Sequence, residues 1–106
     1  WNNHIPSNFR VIIITNQGGV LFRILPGEND SPEYDTYFET VHNRDARQIS
    51  RAFGLNYKVV KTNAGLKWAL KNFFKPSRRP KLLEIKTPRK INDSILINFF
   101  KAMQMC

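Results

Sequence analysis

The residues best suited to do chemistry in this chain are Thr15, Asn16, Gln17, Gly18 and Gly19, which directly follow a β-branched run from Val11 to Thr15. An amide oxygen at a strand end, followed by glycines that let backbone approach a bound group closely, can hold a hard cation and a phosphate. Magnesium takes oxygen ligands in octahedral geometry and is commonly held by a few protein oxygens plus substrate phosphates. One amide oxygen and one backbone carbonyl would be a partial ligand set of that kind. Turn chemistry alone is a modest signal, because most Asn-x-Gly-Gly turns only redirect the chain. Arg23 can pair bidentately with a carboxylate, set against the commoner case of an exposed loop arginine. His4 and His42 have no acidic neighbour in sequence and read as surface or structural. Asp30, Glu33, Asp35 and Glu39 lack regular spacing and read as a solvated acidic face, while Tyr34, Tyr37 and Phe38 read as anchors of a long loop rather than a lid.

These residues need a scaffold, and the pattern supplies one. Val11, Ile12, Ile13, Ile14 and Thr15 form the continuous apolar run of a strand covered on both faces in a parallel sheet. Gln17 to about Asn43 shows no sustained period and reads as a long functional loop. From Asn43, Ala46, Ile49 and Phe53 share one helical face, and Gly54 supplies a stop. Tyr57 to Lys61 reads as a strand, and Leu66, Ala69, Leu70, Phe73 and Phe74 as a helix closed by Pro76. Leu82 to Lys86 is a further strand, and Ile91, Ile95, Phe99 and Met103 mark a last helix that Asn92 or Asp93 could cap. Three strands alternating with three helices give an α/β fold, expected to be half of a doubly wound parallel sheet. In such a sheet, ligands bind beyond the carboxyl ends of the strands, where Asn16 to Gly19 lie.

The totals bound the class. At 106 residues and 42% hydrophobic, the chain fits one domain, residues 1–106. Lys and Arg outnumber Asp and Glu by 17 to 8, a formal charge of +9 that suits an anionic partner. Lone Cys106 can form no internal disulfide, and no Cys/His set has zinc spacing, so a cytoplasmic setting is expected. The chain opens at Trp1 without a leader or an apolar run of bilayer length, and reads as a soluble fragment lacking its upstream part.

The segment Thr15 to Gly27 resembles the cofactor loop of the 2-succinyl-5-enolpyruvyl-6-hydroxy-3-cyclohexene-1-carboxylate synthases, thiamine diphosphate enzymes of menaquinone biosynthesis. The resemblance continues in Phe38, Glu39, Thr40 and His42, in Phe53, Gly54, Leu55 and Tyr57, and in Leu83 to Lys86, so it covers nearly the whole chain. It implies the C-terminal part of a thiamine diphosphate-binding domain. Asn16 looks like the side-chain ligand of the magnesium (or manganese) ion and Gly18 like its backbone-carbonyl ligand, with Gly19 completing the cofactor turn. Thr15 stands where the family has a first Asn, a departure that spares the metal ligand but loses whatever that amide bonds. Leu21, Phe22 and Leu25 resemble apolar positions lining the substrate pocket, with Arg23 among them.

The resemblance implies a parent enzyme that decarboxylates 2-oxoglutarate and adds the succinyl unit to isochorismate, working as a dimer or tetramer with neither membrane nor nucleic acid as partner. The family's aspartate ligand and activating glutamate do not fall in this sequence, so the isolated piece is expected to be inactive. One rival is another thiamine diphosphate enzyme, of the acetolactate synthase or 2-oxoacid decarboxylase type, because the metal turn is shared. The run Phe22 to Gly27 with Phe38, Glu39 and Thr40 favours the menaquinone enzyme. A nucleic-acid-binding module is the rival suggested by charge, but no recognition motif supports it. A receiver-like regulatory domain lacks the acidic pocket at a strand end.

Overall fold

A computed structural model describes residues 4–19, 21–24 and 31–105, without the side chain of Phe22. The chain divides into two compact units, one comprising Trp1–Thr15 with Asp45–Lys86 and the other Asn16–Arg44 with Thr87–Cys106.

The first unit is built on a three-stranded parallel sheet of order β1-β3-β2, with β1 at Arg10–Thr15, β2 at Asn56–Val60 and β3 at Lys81–Lys86. The register sets Ile12, Leu83 and Lys58 side by side, then Ile13, Glu84 and Val59, then Ile14, Ile85 and Val60. Because side chains alternate along a strand, Val60, Leu83 and Ile85 share one face with Ile12 and Ile14. Helix α3 (Asn63–Phe73, numbered in chain order after the shorter helices α1 and α2 given below) covers that face with Leu66, Ala69, Leu70 and Phe73, forming the core. It starts where Thr62 leaves the extended conformation and its hydroxyl accepts the Gly65 N–H at 3.1 Å. Its carbonyl end is satisfied by cations. Arg10 donates to the carbonyls of Phe73 and Lys75, and the Lys81 ammonium donates to those of Asn72 and Lys75.

Helix α2 (Arg47–Ala52) ends in a Schellman closure, Leu55 N–H bonding the Ser50 carbonyl and Gly54 N–H that of Arg51, with Gly54 at φ 68°. The expected stop at Gly54 is therefore present, and the fold class is as anticipated: a parallel α/β sheet in part of a doubly wound pattern.

Two expectations fail in this unit. Strand β1 is an edge strand whose Ile12 and Ile14 are 46% and 70% exposed, because α3 covers the β3 and β2 side of that face and leaves β1 open. On α2 the apolar stripe is not the buried one. Ile49 and Phe53 are exposed, and Ser50 is buried instead, its hydroxyl bonding the Ala46 carbonyl.

In the second unit the long loop is more structured than its lack of period suggests. It carries a short helix α1 (Leu21–Ile24) and a π-helical turn at Tyr34–Phe38, and is followed by α4 (Ile91–Gln104), which α1 contacts. Lys90 caps α4 without a side-chain bond. Neither Asn92 nor Asp93 acts as the cap: the Asn92 amide donates to Thr87, and Asp93 accepts the N–H of Ser94. The expectations placed on Leu25, Pro26, Gly27, Asp30 and Cys106 lie outside the described residues.

Candidate functional site

The glycine turn opens the second unit. Asn16 bends back so that its amide oxygen accepts the Gly18 N–H at 3.3 Å, a long bond near the limit of useful geometry. Gln17 follows at φ 64°, in the left-handed region that few non-glycine residues occupy. The turn is held against residues 39–43 by Gly19 N–H to the Glu39 carbonyl at 2.7 Å, His42 N–H to the Gln17 carbonyl at 3.0 Å and the Gln17 amide to Asn43 at 3.2 Å. His42 is thus a structural member of the loop base, and its ring nitrogen accepts the Arg44 N–H. Thr40, at φ 46°, is the second residue held in left-handed backbone, an expensive conformation for a β-branched side chain.

A side chain at position 18 would crowd Glu39. A β-carbon there would meet Cγ and Oε1 of Glu39 at 3.1 Å and the Glu39 carbonyl at 3.3 Å. Glu39 itself is fully buried, which overturns its reading as part of a solvated acidic face. A buried carboxylate must be paired, and this one is: Arg23 donates to Oε2 at 2.8 Å, and Nε of Arg89 lies 3.3 Å from Oε1. Arg23 also bonds Asp35 and lies 4.8 Å over the ring of Tyr34. Its hydrogen bond to Glu39 holds its proton more tightly than in free arginine, against the opposing effect of burial. Burial in turn raises the Tyr34 hydroxyl, with Arg23 partly offsetting it.

Of the aromatics expected to anchor the loop, Tyr34 does so at 4% exposure, while Tyr37 and Phe38 are largely open. Leu21 is 62% exposed on α1, the Phe22 side chain and Leu25 lie outside the described residues, and Arg23 faces Glu39 and Asp35.

The first unit contains a separate buried carboxylate. Glu84 is fully enclosed in β3, where Tyr57 donates to it at 2.6 Å and the Ala46 N–H at 3.0 Å, with the Thr15 hydroxyl as a further donor. Burial pushes this carboxyl up, but those donors and the charge of Lys86 outweigh it and hold it below the usual carboxylate value. Tyr57 is pushed up to about 12 by burial and by its bond to Glu84. The bond of Thr15 answers what a residue at that position holds: the acid in the neighbouring strand. Neither Glu39 nor Glu84 was recognised as structural in the sequence. The available signal was Glu84 lying inside the apolar run Leu82 to Ile85.

Among the described residues no group of three or more His, Cys, Asp and Glu could hold a metal, and no helix is long and apolar enough to cross a membrane. No protein-family profile matches the chain. Curated proteins do. The chain is 47% identical over 104 residues, 98% of its length, to a 2-succinyl-5-enolpyruvyl-6-hydroxy-3-cyclohexene-1-carboxylate synthase of Christiangramia forsetii. The chain corresponds to one part of these synthases. Synthases of the same name from Cytophaga hutchinsonii and Flavobacterium psychrophilum are 41% and 39% identical over 98% and 97% of the chain. In each case the chain spans only 18% to 19% of the synthase's own length. The likeness runs through the glycine turn, the loop with Arg23 and Glu39, and all three strands, since it covers nearly every residue.

Proposed function

We propose that this chain supplies the metal-turn half of the diphosphate-binding domain in a thiamine diphosphate-dependent transferase of menaquinone biosynthesis. That enzyme decarboxylates 2-oxoglutarate and adds the succinyl unit to isochorismate. The single observation carrying the reading is the 47% identity to a synthase of that name across 98% of the chain.

The residues present suit a magnesium diphosphate as a partial ligand set. Asn16 offers a hard amide oxygen, engaged in a long 3.3 Å bond within its own turn, and Gly18 offers a backbone carbonyl. Gly18 and Gly19 keep the turn free of side chains. When bound, thiamine diphosphate supplies the electron sink for decarboxylation. The chain's own contribution would be positional: Asn16 and Gly18 would hold the metal, with Gly19 closing the turn, and Leu21, Phe22 and Leu25 would be the apolar residues offered to the substrate. Arg23 attracts a substrate carboxylate only in a state where Glu39 or Asp35 releases it. Remaining metal ligands and the activating acid come from other parts of a homo-oligomeric enzyme in the cytoplasm, and the isolated chain does not turn over. Cations already committed to Glu39 and to the carbonyls of α3 are a poor match to a nucleic-acid stripe.

The test is carbon dioxide release from 2-oxoglutarate by the full-length protein, with and without thiamine diphosphate, magnesium and isochorismate. Release that requires cofactor and metal and consumes isochorismate is expected. Turnover of pyruvate but not 2-oxoglutarate would move the protein to another branch, and cofactor-independent behaviour would end the reading.

A further inference from the structure

We infer that Glu39 is a positioning residue for the metal turn, aiming the Gly18 carbonyl through the peptide that joins Gly18 to Gly19. This rests on the reading of Asn16 and Gly18 as metal donors. A trans peptide is planar, with its C=O and N–H pointing in opposite directions. Fixing the Gly19 N–H therefore fixes the direction of the Gly18 C=O. The Glu39 carbonyl takes that N–H at 2.7 Å, and the Glu39 side chain lies against Gly18 so closely that a β-carbon there would sit 3.1 Å from Cγ and Oε1. The glutamate is in turn immobilised at its far end. Its carboxylate, without solvent exposure, is held by Arg23 at 2.8 Å and Arg89 at 3.3 Å. The next residue, Thr40, sits at φ 46° and would relax to ordinary backbone if its neighbours let it. The ion-paired carboxylate anchors the residue on one side of Thr40 and the His42–Gln17 bond the other, so loss of charge at Glu39 loosens the backbone that aims the Gly18 carbonyl.

The experiment is a calorimetric magnesium titration of the full-length protein saturated with thiamine diphosphate, comparing wild type with Glu39→Gln. Groups that orient metal ligands change affinity by roughly 10- to 100-fold when removed, and a weakening in that range is expected for E39Q. Saturating magnesium should then return kcat to within about twofold of wild type, which general damage to the fold would not allow. Wild type that binds magnesium beside an E39Q variant of equal affinity would overturn the positioning role alone. Wild type that binds none would overturn both this role and the functional reading on which it rests. If E39Q does not fold, the double-mutant cycle of Gly18→Ala, Glu39→Ala and the two together takes its place. Removing the Glu39 side chain makes room for the new methyl, so the two changes should be non-additive in magnesium affinity, and additivity would refute the contact.

Discussion

Replacing Tyr57 with Phe removes one hydroxyl from the most enclosed polar group of the sheet unit, and the consequence can be worked out. The hydroxyl donates to Glu84 at 2.6 Å, and Glu84 has no exposed surface. A hydrogen bond to a buried charged group contributes about 1.5–3 kcal/mol, so a loss near 2 kcal/mol is expected at pH 7, about 30-fold in the folding equilibrium. For a chain of this size that corresponds to a fall in melting temperature of about 10 °C. The pH dependence follows from the sign of the shift. Glu84 is held below its ordinary value of 4.5, so its contribution is complete above that pH and is lost as pH falls through the lowered value. Without Tyr57 a main lowering influence is gone while burial still pushes upward, so the variant should begin to lose stability at a higher pH than wild type. Once Glu84 is protonated in both proteins the missing bond is one between neutral groups, and the difference should shrink to about 1 kcal/mol at a pH below the lowered value. Urea denaturation at the two pH values measures both quantities. A loss below about 0.5 kcal/mol at pH 7, or one unchanged once acid has protonated Glu84, would refute the account of this carboxylate.

Three further outcomes are expected. Gly54→Ala should destabilise by about 1 kcal/mol through backbone conformation alone, because φ is 68° and nothing lies within 4 Å of the added methyl; Gly54→Asn should lose less, and equal melting curves for all three would contradict the Schellman closure. In an alkaline absorbance titration one phenol should ionise near pH 12 and vanish from the profile in Tyr57→Phe. Because the folded value is raised, its contribution to stability is intact below about pH 10 and lost as pH rises toward about 12. Arg10→Met should cost about 1–2 kcal/mol in thermal unfolding, since the side chain caps the Phe73 and Lys75 carbonyls at 2.8 and 2.9 Å; a neutral effect would mean that water serves those carbonyls equally well.

The parallel sheet was legible because its strands are short β-branched or apolar runs, and α3 because Leu66, Ala69, Leu70 and Phe73 fall on one face ahead of Pro76. Burial was less legible. The run Val11 to Ile14 carries the pattern of a strand covered on both sides, yet Ile12 and Ile14 are exposed, and composition cannot state where covering residues would come from. Ile49 and Phe53 raise the same difficulty on α2. At the candidate site, Asn16, Gly18 and Gly19 stand out through turn chemistry and family likeness, while Glu39 shares the likeness but reads as solvated. Its partners Arg23 and Arg89 are far from it in sequence, and an acidic residue within a polar segment gives no local sign that folding will enclose it. The short helix and π-helical turn escaped for a related reason: neither is long enough to establish a period.

The pairing of residues 17–19 with residues 39–43 makes the intervening stretch a replaceable cassette. Its ends are tied to each other, so changes in the length or composition of residues 20–38 that keep Arg23 on Glu39 are absorbed within the tie. Closing a longer flexible loop adds only about 0.6 kcal/mol per doubling of length. The stretch can therefore be varied while the turn at its base keeps its geometry, provided that Arg23 stays to pair with Glu39, and the boundaries for such a graft are Gly19 and Glu39.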